Sequence, residues 1–287
     1  MSPHTPTGPA TRPPPAPRGL DADGRIAREG SLARVAPVFA PVVAAARTRA
    51  GEVFGPRLHS VYLYGSVPRG TARPGRSDLD LLLALHEEPG PADHEAAAAL
   101  GRELDAAFDT VDGAGVLLFG RERLLSPAER HDLGWFLSCL CTPLAGPDLA
   151  ARLPRHRPDS TLARETNGDL AEVLLRWRAR LAEVADLPEP AREEALRKLC
   201  RAWSRHLVRT AFTLVMPRWG GWTSDLTISA EVFGHWYPQR ARALAEAARV
   251  AHAPRPDPAL LAFWLEELGP WLAAEYTARH GTKSPRP

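Results

Sequence analysis

One short segment constrains this chain more than any other: VYLYGSVPRGTARPGRSDLDLLLAL, residues 61–85. Two runs rich in leucine, β-branched and aromatic residues flank a stretch of Gly, Pro and Arg. Leu58–Tyr64 predicts one strand, and Asp78–Leu85 predicts a second. Side chains alternate along a strand, so Asp78 and Asp80 share a face, about 6–7 Å apart. Leu79, Leu81 and Leu83 take the other face and feed a core. Two carboxylates so close stay ionised at low cost when a cation sits between them. Hard oxygen ligands from one or two carboxylates suit Mg²⁺. Gly65-Ser66 falls where the first strand meets the loop. Glycine there lets backbone N–H groups approach an anion, and serine adds a hydroxyl donor. A cation beside an anion cradle is the chemistry of a nucleoside triphosphate site. Either piece alone is an ordinary turn. Placed at the facing ends of consecutive strands, they point to a function.

The spacing G-S-x11-D-x-D between two strands resembles the nucleotidyltransferase domain of the DNA polymerase β superfamily. The local wording, LYGS…RG…P-x-x-SDLDLL, is most similar to aminoglycoside nucleotidyltransferases and related bacterial minimal nucleotidyltransferases. The motif spans about 25 residues, and the domain-level likeness runs over roughly Leu32–Leu125. The resemblance implies an α+β fold, a small mixed sheet with flanking helices, followed by an all-α helical-bundle domain. It implies that Gly65 and Ser66 bind the triphosphate, that Asp78 and Asp80 bind Mg²⁺, and that Ser77 belongs to the nucleotide site. A third carboxylate, metal ligand or general base, is expected from the strand predicted at Thr110–Phe119. Val111-Asp112-Gly113 fits its pattern best, which makes Asp112 the candidate. Asp109, facing the opposite way on that strand, is the alternative. In the second lobe, LRKLCRAWSRHLVRT resembles a helix carrying an arginine to the triphosphate, and Arg201 is the matching position. A lysine contributed by the following segment in those enzymes has no match here.

The flanks divide the chain. Residues 1–24 read as a disordered Pro-rich tail, 25–145 as the catalytic domain and 146–159 as a linker. Residues 160–280 read as the helical domain and 281–287 as a polar tail. Within the catalytic domain, Arg25–Val53 and Pro91–Phe108 predict helices, and Ser126-Pro127-Ala128-Glu129 predicts a capping box on a helix running to Leu140. Beyond Ser160 every apolar period is helical. Leu170, Val173, Leu174, Trp177, Leu181 and Val184 form one stripe, and Leu196, Leu199, Trp203, Leu207, Ala211 and Leu214 another. Arg197, Arg201, Arg205 and Arg209 recur every fourth residue on one predicted helix. They require carboxylates, solvent or a polyanion to offset their repulsion. Trp219 and Trp222, around two glycines, read either as core plugs or as stacking surfaces. Thr166 and Asp169 read either as a capping box or as part of an acceptor loop.

Composition excludes several classes. The net charge is +2, and 34 of the 36 basic residues are Arg, so the Arg count reflects coding bias more than a polyanion partner. There is no strong sign of nucleic-acid binding. No apolar run reaches ~18 residues, so no membrane partner is expected. Cys139, Cys141 and Cys200 are an odd number, which fits a reducing cytoplasm, and the C-x-C pair Cys139 and Cys141 reads as buried thiols. The expected activity is Mg²⁺-dependent transfer of a nucleoside monophosphate to a hydroxyl, with release of pyrophosphate. Two Mg²⁺ ions are expected, with ATP or another nucleoside triphosphate as co-substrate. The acceptor is a small molecule held between the lobes, aminoglycoside-like. The alternatives are modification of a protein or RNA, as antitoxin-like relatives do, or nucleotide binding without turnover. A polycationic acceptor calls for carboxylates, yet residues 160–287 carry 18 Lys and Arg against 15 Asp and Glu. Only Glu165, Asp169, Asp225 and Glu231 offer themselves. The sequence does not indicate an oligomeric state.

Overall fold

The computed structural model describes residues 13–286. The first 12 residues of the expected tail, and Pro287, lie outside the described residues. Two compact units are present. One comprises residues 19–157 with residue 286, and the other residues 13–18 with 158–285.

The first unit is built on a four-stranded mixed sheet in the order β3-β2-β1-β4. Strand β1 is Leu58–Tyr64, β2 Leu79–Leu85, β3 Ala114–Gly120 and β4 Thr142–Ala145. β1 runs antiparallel to β2 and β4, and β3 runs parallel to β2. A parallel pair needs a crossover, and helix α3, Pro91–Ala107, supplies it. Val61 and Leu63 of β1 and Leu79, Leu81, Leu83 and Leu85 of β2 pack with Val42, Ala46 and Phe54 of helix α1, Ala40–Phe54. Ala97, Leu100 and Leu104 of α3 complete that core. The other sheet face is also covered: Tyr62, Leu82 and Ala84 bury against Leu124, Leu137, Cys141 and Leu149.

Several elements differ from the sequence expectation. The helix expected over Arg25–Val53 begins only at Ala40; Pro37 and Pro41, which demand either a kink or a restart, each open a helical segment. Ser126 does cap Glu129, but only a single 3₁₀ turn follows, and the helix resumes at Leu133. The third strand starts at Ala114, four residues later than expected, because Gly113 takes φ +124° just before it. The expected linker, 146–159, follows directly on β4 and holds a 3₁₀ turn at Leu149–Arg152. Buried Leu149, the Arg28–Asp148 ion pair at 2.8 Å and the Tyr62 hydroxyl, which accepts from the Leu149 N–H, bind 146–157 into the first unit. Residues 13–24 of the expected tail also have set places. The Pro15 carbonyl accepts from Trp219 Nε1, and Leu20 pairs with Ile26.

The second unit is helical, with main helices at Ser160–Asn167, Leu170–Ala185, Ala191–Trp219, Leu226–Trp236, Pro238–His252 and Gly269–His280. Trp203, Leu207, Ala211 and Leu214 are buried, as the second stripe requires. Trp219 and Trp222 are buried against Phe212, so they plug the core. Thr166 does not cap a helix. Its hydroxyl donates to the Leu162 carbonyl inside the first helix, whose cap is Asp159. The polar tail is seated: the Lys283 N–H bonds the Gly168 carbonyl, and Ser284 bonds the buried Glu165 carboxylate. All three cysteines are buried, and among the described residues no helix is long and apolar enough to cross a membrane.

His206 stands edge-on to Trp177 at 5.5 Å, and its Nε2 has no hydrogen-bond partner. Burial pushes its pKa down to about 4, against a weaker opposing pull from Asp169. The unfolded chain takes up a proton near pH 6.5 that the folded chain refuses. Folding stability should therefore be full above about pH 6.5 and fall as pH drops toward 4. At the low end the loss should be about 3 kcal/mol. Thermal unfolding at stepped pH measures this, and His206→Gln should flatten the decline.

Candidate active site

The Gly65-Ser66 turn is shaped by what stands opposite it. Tyr64 pairs with Asp80 across the antiparallel β1–β2 ladder, so the chain leaves β1 beside the first residues of β2. Gly65 adopts φ +78°. A Cβ there would stand 2.2 Å from Asp80 Oδ2 and 3.2 Å from its Cγ. The Asp80 carboxylate thus lies against the Gly65 backbone, and no other residue type fits. Ser66 opens the single helical turn α2, Ser66–Arg69, and the Arg69 Nε–H returns to the Gly65 carbonyl at 2.9 Å. Arg69 also faces Glu29 at 3.8 Å. Sequence reasoning passed over this arginine, although an arginine four residues past a strand-ending glycine is placed for such a clamp.

The loop between the strands is tied down rather than open. The Thr71 N–H bonds the Ser66 carbonyl at 3.1 Å, and the Ser77 hydroxyl accepts from the Arg73 N–H at 2.9 Å. Ser77, expected in the nucleotide site, thus has a loop-closing bond of its own. Its carbonyl accepts from Asp112 N–H at 3.1 Å, and the Gly75 N–H reaches the Thr110 carbonyl at 3.0 Å. The Leu79 N–H bonds the Gly113 carbonyl at 2.9 Å. These bonds join the loop before β2 to the loop before β3. They deliver Asp78 and Asp80, both half-buried, to the strand edge next to Gly65.

Alternation on β2 holds as expected. Leu79 and Leu81 enter the core under α1, and Asp80 takes the opposite face with Leu82. The third carboxylate is where expectation and structure part. Asp112 is not on a strand. It sits exposed in the bend before β3, two residues short of Ala114, and Asp109 is exposed in the preceding turn. β3 itself, AGVLLFG, holds no acidic residue, and Gly115 is its residue in register with Asp80. Among the described residues, no group of three or more His, Cys, Asp or Glu side chains gathers where it could hold a metal ion. Donor chemistry still fits a hard cation at Asp78 and Asp80, since one or two carboxylates plus substrate oxygens commonly hold Mg²⁺.

Arg201 belongs to the helical unit, half-buried on Ala191–Trp219. In the same ladder, Arg197 pairs with Glu193 and Glu194 of its own helix. Three of the four carboxylates considered for a polycation have local work. Glu165 holds Ser284, Asp169 faces Lys283 at 3.9 Å, and Asp225 caps Leu226–Trp236.

Comparisons with known proteins agree with this geometry. Residues 51–111 match the nucleotidyltransferase domain family, a span covering β1, the Gly65-Ser66 turn and both aspartates. No curated protein matches the chain. Among solved structures, the chain is similar to spectinomycin adenyltransferase AAD(9) from Enterococcus faecialis, crystallised with ATP and spectinomycin. The TM-score is 0.51 at 13% identity, covering 83% of this chain and 98% of that one. At that identity the likeness is one of fold.

Gly65→Ala should disturb both backbone and carboxylate. The strained φ alone costs on the order of 1–3 kcal/mol. We expect a Tm lowered by several degrees in a thermal melt, with Gly51→Ala, inside helix α1 and meeting nothing within 4 Å, as a control whose Tm should hold or rise. Residues 51–111, which include the Gly65–Asp80 contact, thus match a nucleotidyltransferase domain, and the chain shares its fold with spectinomycin adenyltransferase.

Proposed function

We propose that the protein transfers a nucleoside monophosphate, AMP from ATP, to a hydroxyl of a small aminoglycoside-like molecule and releases pyrophosphate. The observation that carries this reading is the Asp80 carboxylate seated against the Gly65 backbone, with Asp78 two residues before it on the same strand edge. The ATP and spectinomycin crystallised with the structural neighbour support both the nucleotide and the class of acceptor.

In this reading Asp78 and Asp80 hold Mg²⁺. When bound, the ion neutralises triphosphate charge and lowers the pKa of an acceptor hydroxyl. The chain's own residues orient the substrates. The turn at Gly65 and Ser66 presents backbone N–H groups and a hydroxyl to the β- and γ-phosphates. The Arg69 bond to the Gly65 carbonyl keeps that turn from opening. The acceptor hydroxyl gives its proton to solvent as its oxygen attacks the α-phosphorus, the α–β bridge breaks, and pyrophosphate departs. Alignment of the reacting oxygens with the phosphorus supplies much of the acceleration. Arg201 is proposed to add a cation to the triphosphate from the helical unit.

The test is pyrophosphate release by purified protein with Mg²⁺ and ATP across a panel of aminoglycosides and spectinomycin, the product identified by mass as an AMP adduct. Asp78→Asn and Asp80→Asn should each lower the rate by about 10²–10⁴, the loss of several kcal/mol of charge stabilisation. Their Tm should stay near that of the native chain, since asparagine keeps the size and shape of the side chain, including the contact of residue 80 with Gly65. Release at the native rate in both variants would overturn the mechanism. Label from ATP appearing on a protein or RNA in lysate, with no small-molecule adduct, would overturn the acceptor.

A further inference from the structure

Three glycines flank the two carboxylates, and they are glycine for different reasons. Gly65 has no room for a Cβ and sits at φ +78°. Gly113 has room, its Cβ position lying 3.7 Å from Asp78 Oδ1, but at φ +124° it stands where L side chains strain. Gly115 has neither reason. It lies inside β3 and outside the positive-φ region, and a Cβ there would meet only Asp80 Oδ1, at an ordinary 3.8 Å. Glycine within a strand costs about 0.5–1 kcal/mol against alanine. The fold therefore loses by having glycine at 115 and gains no conformation from it. Yet this is the residue of β3 in register with Asp80, on its face, and exposed.

We propose that Gly115 is a specificity-determining position: its missing side chain keeps the space beside Asp80 for the acceptor. The cation is then held from the protein side by Asp78 and Asp80 alone. This rests on the reading of those two aspartates as cation ligands. Mg²⁺ demands octahedral geometry and is commonly bound through one or two carboxylates, with water and substrate oxygens filling the rest. A side chain at 115 would stand against the Asp80 oxygen on the side away from Gly65. Without a side chain at 115, ligand oxygens have room at that Cβ position. Asp112, exposed in a bend outside the strand, is then no ligand. Its ordered contact is the backbone bond to Ser77, which any residue but proline makes.

The test uses Mn²⁺ alone as the probe, its binding followed by electron paramagnetic resonance in the full-length protein. Asp112→Ala should bind Mn²⁺ within threefold of the native chain. Gly115→Asp, which places a third carboxylate beside Asp80, should bind it at least tenfold more tightly. Asp78→Asn should lose at least tenfold. A tenfold loss in Asp112→Ala, or no gain in a folded Gly115→Asp, would overturn the two-aspartate site. Equal binding by the native chain and Asp78→Asn would instead sink the cation reading on which the proposal rests. Should Gly115→Asp fail to fold, Gly115→Ala decides whether the fold needs the glycine: its Tm should equal or exceed the native value, and a drop of several degrees would overturn the proposal. In the transfer assay, Gly115→Val should raise the acceptor KM at least tenfold and leave the ATP KM within threefold. An unchanged acceptor KM would overturn the claim on acceptor space.

Discussion

The Asp80 carboxylate occupies the place where a side chain at residue 65 would stand, its Oδ2 2.2 Å from that Cβ position. Much else at the site follows from this contact. It fixes the residue type at the end of β1, and it sets a turn whose N–H groups lie beside a carboxylate. It is possible only because Tyr64 and Asp80 are register partners. The placing also concentrates charge. At an effective dielectric of about 20, two charges 6–7 Å apart repel by about 2–3 kcal/mol. The strand end thus holds two half-buried carboxylates close together.

Much of this was legible in the sequence. The bounds of β1 agree with expectation to the residue, because its apolar run ends in a glycine with a positive φ. The alternation of Leu79, Asp80, Leu81 and Leu82 between faces is a period-2 signal that needs no tertiary information. What was not legible depended on pairing. Thr142–Ala145 is four residues with a proline among them, and it becomes a strand only because β1 has a second edge to satisfy. Asp112 looked strand-borne because its neighbours are apolar, but Gly113 breaks the phase, and only the β2–β3 register shows that Gly115 meets Asp80.

The helical unit teaches a different lesson about polar and aromatic outliers. Indoles beside paired glycines read either as core plugs or as a stacking surface, and Trp219 and Trp222 sit edge-on to Phe212 in the core. Carboxylates that a cationic ligand would want are employed in capping and in seating the chain end, as Asp225 and Glu165 show. In an Arg-rich chain, local ion pairs absorb much of the charge pattern, and Arg197 between Glu193 and Glu194 is the plain case.

The grouping of residues 13–18 with 158–285 has a consequence for how the protein comes into being. A ribosome delivers all four strands of the sheet unit within residues 19–157, so they can pair while the helices are still unmade. The helical unit enjoys no such order. Its first residues emerge before anything else described here, and the indole that donates to the Pro15 carbonyl arrives 204 residues later. Until then that segment lacks the partner it has in the folded chain. Cutting the gene between the two halves would leave the helices without this strap, so an excised helical fragment is a poorer protein than the same helices in the whole chain.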